Sequence, residues 1–202
     1  LPLSLVFRDG GPRTGAAMVL CHGLGAGGRQ FLSDAGYFAD LGYRVLVPDL
    51  RGHGASSVPK GYPLSGFATA TMAGDMVKML DHAGVDAVHW VGNSLGGIIA
   101  LTLLGSAPQR LASLAMFGTA FALDLPSAVS PLVTGLYRAF GAGLVSRVAA
   151  FNTTRNPRAR PLIAQMLREF DPRAGRAIAA HVRRYDLTAN ALAYGGPLLV
   201  LV

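Results

Sequence analysis

The sequence is poor in cysteine and in charged residues. One cysteine, Cys21, occurs in 202 residues, which excludes an internal disulfide and leads us to expect a reducing, cytoplasmic setting. Charged residues make up 14% of the chain, below the roughly 25% of an average globular protein. Hydrophobic residues make up 51%. A chain of this length and composition can bury a large core and does not have the composition of a disordered protein.

Long apolar runs are also lacking, and we expect no leader segment. The stretch 111–137 carries one charge, Asp124, but Gly118, Pro126 and Pro131 interrupt it. We therefore interpret it as strand and loop and expect no membrane span. No basic segment followed by an apolar run opens the sequence, so no signal peptide is predicted.

Acidic side chains are scarce in one later segment. Residues 1–137 hold eight Lys/Arg and eight Asp, whereas residues 138–186 hold ten Arg against Glu169, Asp171 and Asp186. The net charge of +7 therefore lies in the later segment. Such a surface can attract anionic substrates, membranes or nucleic acid, although solvated arginine-rich helices explain it as well and are favoured here. Because no aromatic residues interleave the arginines, no nucleic-acid partner is expected.

Short apolar runs alternate with helical patterns in the first half of the chain. Near-continuous apolar runs are typical of strands buried on both faces of a parallel sheet. They predict strands at Leu3–Phe7, Ala17–Cys21, Tyr43–Val47, Ala87–Val91, Ala112–Phe117 and Leu198–Val202. Apolar residues at helical spacing predict helices at Phe31–Leu41, Met72–Ala83 and Ile98–Leu104, with Ser65 as the cap of the second.

The pattern changes after Thr119. From Asp124 to Tyr194 the sequence predicts helices with no strands between them, namely Leu132–Phe140, Leu144–Phe151, Pro161–Phe170 and Arg173–Tyr185. We therefore predict an α/β fold with a mostly parallel sheet flanked by helices. Residues 1–122 and 196–202 would form this core, and residues 123–195 a helical cap or lid inserted into it.

A G-x-S-x-G pattern occurs once, as Gly92-Asn93-Ser94-Leu95-Gly96. It lies between a predicted strand and an apolar helix, which is the context that the pattern requires. A serine on a sharp strand-to-helix turn has a strained backbone, and its neighbours two positions away must lack side chains. The following helix points its N-terminus at the serine and favours negative charge there. We interpret Ser94 as a nucleophile; a tight turn without chemistry is the alternative.

A glycine-rich loop follows the strand that ends at Cys21. Acyl transfer needs two backbone N–H donors for the developing oxyanion. We expect one from Leu95, next to the nucleophile, and the other from Leu24, because Gly23 lets the backbone approach closely.

The same loop also fits a dinucleotide-binding fingerprint. Residues Gly23–Gly28 match G-x-G-x-x-G after a strand, and Asp49 at the end of the next strand could bind a ribose. This alternative leaves the turn at Ser94 unexplained, whereas a hydrolase uses both loops.

A third feature is the polar loop Asp49 to Ser57, which follows a predicted strand. It contains His53, which we expect to be structural.

Three stretches together resemble the α/β-hydrolase superfamily, in its branch of small cofactor-free esterases, lactonases and carbon–carbon bond hydrolases. They are His22-Gly23 after a strand, "PDLRGHGAS" at 48–56 and "VGNSLGG" at 91–97, in the same order and rough spacing. The resemblance implies that Ser94 attacks an ester, lactone or related carbonyl compound and that His22 belongs to the oxyanion loop. It implies a small-molecule substrate and no metal or organic cofactor. A ligand-binding module of the same fold without catalysis is the other class of function considered.

The sequence departs from this superfamily where its triad should be completed. The order is Ser, then Asp or Glu, then His. We expect the acid and the histidine beyond Val202 and interpret the sequence as a fragment open at both ends. None of the five histidines follows the last predicted strand: His22, His53, His82, His89 and His181. Asp124 is a possible alternative acid. Without a base the serine is a weak nucleophile, so these 202 residues alone are predicted to be nearly inactive.

Overall fold

The computed structural model describes residues 4–126 and 129–201. The strands are β1 (Val6–Gly10), β2 (Ala17–Cys21), β3 (Arg44–Asp49), β4 (Val88–Asn93), β5 (Leu111–Phe117), β6 (Ala122–Asp124), β7 (Arg184–Asp186) and β8 (Leu198–Leu201). The α-helices are α1 (Leu32–Asp40), α2 (Thr69–Ala83), α3 (Leu95–Leu104), α4 (Val129–Thr153), α5 (Arg160–Glu169), α6 (Pro172–Val182) and α7 (Thr188–Ala193).

Six strands form one sheet in the order β1-β3-β2-β4-β5-β8. All neighbouring strands are parallel except β1 and β3. The α/β fold with a mostly parallel sheet flanked by helices is thereby confirmed. In the register, Asn93 lies beside Phe117 and Phe117 beside Leu201. Because parallel strands end at one edge of a sheet, the carboxyl end of β8 lies at the same edge as the turn at Ser94.

The predicted strands are present, with shifts of one to three residues at most ends. The prediction for β2 is correct at both ends. The first strand is Val6–Gly10 and not Leu3–Phe7, since its bounds follow its antiparallel pairing with β3 and not its apolar run. Its polar residue Asp9 is held by Arg44, whose Nε and Nη2 donate to the carboxylate at 3.0 and 2.8 Å.

The two faces of the sheet are covered unequally. Helices α2 and α3 cover one face, and the larger core forms there around Trp90, which is 1% exposed. On the other face α1 covers a smaller cluster that includes Leu20 and Phe31. Side chains of β4 alternate between buried and half-buried positions. Within the described residues, the prediction of strands buried on both faces therefore holds for β2 and β3 and fails for β1, β4, β5 and β8.

Helix α2 begins at Thr69, too far along the chain for the expected cap, Ser65, to serve it. Ser65 lies in a short 3-10 helix, Leu64–Phe67, and the residue before α2 is Ala68. The Ser65 carbonyl accepts a hydrogen bond from Thr71 Oγ1 at 2.9 Å, so this serine contributes its backbone and not its side chain. The cap prediction for Ser65 was wrong, because a serine three residues too early cannot reach the first-turn N–H groups.

The segment between β5 and β8 contains helices and one strand pair. Helix α4 is interrupted at Gly141 (φ 72°, ψ 157°), between the two helices expected there. The expectation of helices without strands was wrong, because β6 and β7 pair antiparallel, with Leu123 opposite Tyr185. Strands of three residues are too short to show a period-two pattern. The division into a core and a cap at 122/123 and 195/196 stays a prediction.

Within residues 4–126 and 129–201, no helix combines the length and the apolarity that crossing a membrane requires.

Candidate active site

Ser94 forms the turn between β4 and α3. Its backbone has φ 47° and ψ −108°, a conformation that a residue with a side chain adopts only under strain. The turn is fixed on both sides: Ser94 N–H donates to Phe117 O at 2.9 Å, and Thr119 Oγ1 donates to Ser94 O at 2.9 Å. The half-buried serine therefore stands at the N-terminus of a helix whose interior is almost wholly apolar.

Three glycines allow this turn to exist. A Cβ on Gly92 would lie 2.6 Å from the amide nitrogen of Gly97. A Cβ on Gly96 would overlap the carbonyl oxygen of Cys21, and one on Gly97 would overlap Thr119 Oγ1. The first turn of α3 thus packs backbone against backbone on β2. Nε1 of Trp90 donates to Gly96 O at 3.1 Å and fixes that contact from the core side.

The loop after β2 lies directly beside the serine. A Cβ on Gly23 would be 3.4 Å from Ser94 Cβ and 2.6 Å from Asn93 Oδ1, so only glycine permits this approach. A side chain that the sequence analysis did not single out, Gln30, bridges the loop and the turn. Gln30 Nε2 donates to Asn93 Oδ1 at 3.2 Å, and its Oε1 accepts from Gly23 N–H at 3.4 Å.

His22 sets the direction of the Leu24 N–H. Its Nε2 accepts from Leu50 N–H at 3.0 Å, so Nδ1 carries the proton and donates to Gly23 O at 2.8 Å. In a trans peptide the C=O and the following N–H point in opposite directions. The Leu24 N–H therefore points away from His22. Among the described residues, no acceptor binds the N–H of Leu24 or of Leu95.

His53 holds the next peptide of the loop. Its Nε2 accepts from Gly25 N–H at 3.1 Å, and its Nδ1 faces Arg51 O at 3.1 Å. The rings of His22 and His53 lie 4.9 Å apart, and both are buried. Burial lowers the pKa of His22. Burial and the nearby His22 ring lower the pKa of His53 well below the ordinary value. Both histidines are thus neutral hydrogen-bonding groups of the loop.

Asp49 is a structural carboxylate and does not present itself to a ribose. Its Oδ1 accepts from Gly28 N–H at 2.6 Å and its Oδ2 from Ala55 N–H at 2.9 Å. A Cβ on Gly54 would overlap the carboxylate. In a dinucleotide site the carboxylate must be free to accept ribose hydroxyls. Asp49 instead ties the glycine-rich loop to the loop after β3, which disfavours the dinucleotide interpretation.

A second buried carboxylate anchors the loop after β3. Arg51 Nε and Nη2 donate to the two oxygens of Asp75, each at 2.6 Å, and a third donor of Arg51 binds Gly66 O. Both side chains are less than a tenth exposed. Asp75 belongs to α2, so this bidentate pair fastens the loop to the helical layer. The sequence analysis did not predict this pair.

Two further histidines and the possible alternative acid Asp124 lie apart from this arrangement. His89 Nδ1 is hydrogen-bonded to Ser113 Oγ at 2.9 Å, and His181 Nε2 to Leu64 O at 2.8 Å. Asp124 lies on β6, 70% exposed, with Oδ2 3.6 Å from Arg184 Nε. In the described part of the chain, Ser94 Oγ has no hydrogen-bond partner. The role of Asp124 as an acid stays a prediction.

A cavity of about 400 Å³ lies beside the glycine-rich loop, and Gly27 and Asp49 are among the residues that line it. The end of α5 borders it with Glu169 and Phe170. Neither Ser94 nor Leu24 lines it, so it is not the space in front of the serine.

In the residues that the structure describes, no group of three His, Cys, Asp or Glu side chains could hold a metal ion.

A comparison with protein families decides the membership of the chain. The sequence model for the alpha/beta hydrolase fold matches residues 16–191. The chain belongs to this family. The α/β hydrolases place a serine of the G-x-S-x-G pattern at this turn, at the end of a central strand. The resemblance seen in the sequence is thereby confirmed.

Individual relatives share only parts of their length with the chain. It is 42% identical over 110 residues to the dihydrolipoyllysine-residue acetyltransferase component of the acetoin cleaving system of Cupriavidus necator, which is 54% of this chain and 27% of that protein. It is 32% identical over 129 residues to the 2-hydroxy-6-oxononadienedioate/2-hydroxy-6-oxononatrienedioate hydrolase of Paraburkholderia phymatum, 60% of this chain and 44% of that protein. The chain thus spans less than half the length of these relatives.

Solved structures match over nearly the whole chain. A thermophilic esterase from Thermogutta terrifontis, solved with malate bound, superposes with a TM-score of 0.83 at 28% identity. The superposition covers 99% of this chain and 75% of the esterase. The similarity therefore includes the segment between β5 and β8.

Proposed function

We propose that the protein is a serine hydrolase in which Ser94 attacks the carbonyl carbon of an ester, lactone or related small molecule. The observation that carries the proposal is the strained backbone of Ser94 at the N-terminus of α3, with Gly23 packed against it. The hydrolase and esterase among the relatives support a carbonyl substrate.

The proposed chemistry proceeds through a tetrahedral intermediate. Ser94 Oγ forms a bond to the carbonyl carbon, and the carbonyl oxygen takes the negative charge. The N–H groups of Leu24 and Leu95 are free to bind that oxygen, and the positive end of the α3 dipole adds to the stabilisation. The leaving group departs with a proton, and water then hydrolyses the acyl-serine ester. Each donor of this kind is worth about 10²–10³ in kcat.

The proton of Ser94 Oγ needs a general base. His22 and His53 are unsuited to it, because both nitrogens of each ring are engaged within the loop. The acid and histidine expected beyond Val202 stay predictions. Their place is supported by the sheet, since the carboxyl end of β8 lies at the same edge as Ser94. The cofactor-free mechanism and the cytoplasmic location also stay predictions.

Covalent labelling tests the proposal. The full-length protein is treated with a fluorophosphonate and the adduct is located by mass spectrometry, alongside turnover of a short-chain p-nitrophenyl ester. We expect the adduct on Ser94, and we expect Ser94→Ala to abolish both labelling and turnover. Ser106→Ala, at an exposed position two residues beyond the opposite end of α3, is the matched control and should keep both. Ligand binding that survives Ser94→Ala, with no labelling of the parent protein, would instead identify a non-catalytic binding module.

A further inference from the structure

The end of α5 packs on the glycine-rich loop rather than on the serine. The ring of Phe170 stacks on the ring of His53, with centroids 4.4 Å apart and planes inclined by 20°. A Cβ on Gly25 would lie 2.8 Å from Leu167 Cδ2 and 3.7 Å from Phe170 Cδ1. Arg29, further along the loop, forms an ion pair with Glu169. The helix end therefore contacts the loop both through its apolar side chains and through charge.

The stack fixes the plane of the His53 ring, and that plane directs its Nε2. This nitrogen accepts from Gly25 N–H, which fixes the peptide that joins Leu24 to Gly25. His22 fixes the preceding peptide through Gly23 O. With the peptides on both sides of its Cα held, Leu24 has no freedom to turn its N–H. Gly25 itself has φ 74°, a conformation that glycine adopts without strain.

We propose that Phe170 is a positioning residue, which acts through His53 and Gly25 to hold the Leu24 N–H toward the oxyanion. The inference rests on the proposed function, in which that N–H binds the oxyanion. It assigns the helical segment a part in the reaction that is separate from covering the substrate. When the end of α5 is seated, the loop is complete; when it moves away, the His53 ring loses its support and the donor loses its direction.

A role in packing alone predicts a different result. If Phe170 only fills space, its removal lowers the free energy of unfolding and leaves the kinetic constants of the folded protein unchanged. If it positions a donor that acts on the oxyanion, kcat falls while KM stays the same, because the oxyanion exists only after attack. The two roles are therefore separated by the split between kcat and KM.

The kinetic test uses the full-length protein and a p-nitrophenyl ester. For Phe170→Ala we expect kcat to fall roughly three- to tenfold, which corresponds to the interaction energy of one aromatic pair. We expect KM to stay within about twofold. Phe170→Tyr keeps the stacked ring and should restore kcat, whereas Phe170→Leu keeps apolar volume and should not. Phe151→Ala is the matched control, since this aromatic ring lies in the same segment on α4 and is 62% exposed.

A double-mutant cycle tests whether Phe170 acts through His53. His53→Phe keeps an aromatic ring for stacking but deletes the nitrogen that accepts from Gly25 N–H. We expect this variant to lower kcat on its own, and we expect Phe170→Ala to change kcat little further in its presence. Independent effects that multiply would contradict the route through His53.

An amide readout decides the case without turnover. In ¹⁵N-labelled protein, hydrogen exchange at the Gly25 amide should be roughly three- to tenfold faster in Phe170→Ala and unchanged in Phe151→Ala. Wild-type kcat together with unchanged Gly25 exchange in Phe170→Ala would overturn the inference and leave Ser94 as the nucleophile. Retained turnover in Ser94→Ala would overturn the proposed function instead, and Gly25 exchange would still report whether Phe170 controls the loop.

Discussion

The two loops that meet at Ser94 are held by different means. The turn around Ser94 is fixed first by close backbone contacts, since Gly92 and Gly96 lie where no Cβ can be placed. Thr119 and Trp90 each add one side-chain hydrogen bond to it. The loop Gly23–Gly28 is held by side chains from elsewhere, among them Gln30 and His53. Backbone contacts of the first kind have few alternatives, whereas side-chain hydrogen bonds depend on protonation and on the position of neighbouring helices. The nucleophile is therefore built rigidly, and its oxyanion loop is open to adjustment.

The largest expected effect comes from adding one methyl group to the rigid turn. Gly96→Ala places a Cβ on the carbonyl oxygen of Cys21, so β2 and α3 must separate. We expect the free energy of unfolding to fall by more than about 3 kcal/mol, measured by urea denaturation. Gly74→Ala is the matched control: it lies within α2 with no atom within 4 Å of its Cβ. For Gly74→Ala we expect the free energy of unfolding to rise by about 0.5–1 kcal/mol, because alanine favours the helix over glycine. Equal effects of the two substitutions would contradict the account of a turn fixed by its backbone.

Acid should weaken the adjustable loop before it affects the turn. His22 and His53 have pKa values lowered by burial, so the unfolded chain binds protons at a higher pH than the folded one. Their contribution to stability is complete above pH of about 6.5, the ordinary histidine value, and is lost as the pH falls toward their folded pKa. The titratable groups that face His22 are the ring of His53 and the carboxylate of Asp49. The titratable group that faces His53 is the ring of His22, and the carbonyl of Arg51 is hydrogen-bonded to His53 Nδ1.

Urea midpoints at pH 7.5, 6.5 and 5.5 measure this loss. Each pH unit below 6.5 should cost up to about 1.4 kcal/mol for each histidine that stays neutral when folded. His53→Phe should reduce the slope with pH, whereas the control His82→Ala, an exposed histidine at the end of α2, should not. A slope that is the same in all three proteins would show that the histidines of the loop do not carry the pH dependence.

The smallest effect is expected outside both loops. Asp124 lies on β6 and forms an exposed pair with Arg184. Exposed pairs contribute about 0–1 kcal/mol, so Asp124→Asn should change the free energy of unfolding by less than about 0.5 kcal/mol. We expect kcat of the full-length protein to stay within about twofold, with Arg184→Gln as the matched control. A fall of about a hundredfold in Asp124→Asn alone would identify Asp124 as the triad acid.

The sequence predicts the rigid turn better than the adjustable loop, for a physical reason. Ser94, Gly92 and Gly96 are neighbours in the chain, and the requirement for small residues around a sharp turn is local. Some of the side chains that hold the loop are distant from it in sequence: His53 is 28 residues from Gly25, and Glu169 is 140 residues from Arg29. Periodicity carries no information about such pairs.

The same distinction explains the errors in the fold. Apolar runs located the strands of the sheet, because burial determines them. The ribbon of β6 and β7 depends on pairing across about 60 residues, and neither strand is apolar throughout. The alternative with Asp49 as a ribose ligand arose because a carboxylate at the end of the strand after a glycine-rich loop fits that pattern. Only the folded loop shows that Gly28 and Ala55 already occupy both of its oxygens.

Cys21 gives the protein a useful property for experiment. Its side chain is fully buried in β2, and burial raises the pKa of the thiol, so the sulfur is both shielded and protonated. Within these 202 residues, Cys21 should therefore react slowly with thiol reagents as long as the fold is intact. A single cysteine introduced on the surface, for example at Leu192, would take a spin label or a fluorophore selectively. The surroundings of the label in the segment between β5 and β8 could then be followed by spectroscopy while Cys21 is kept.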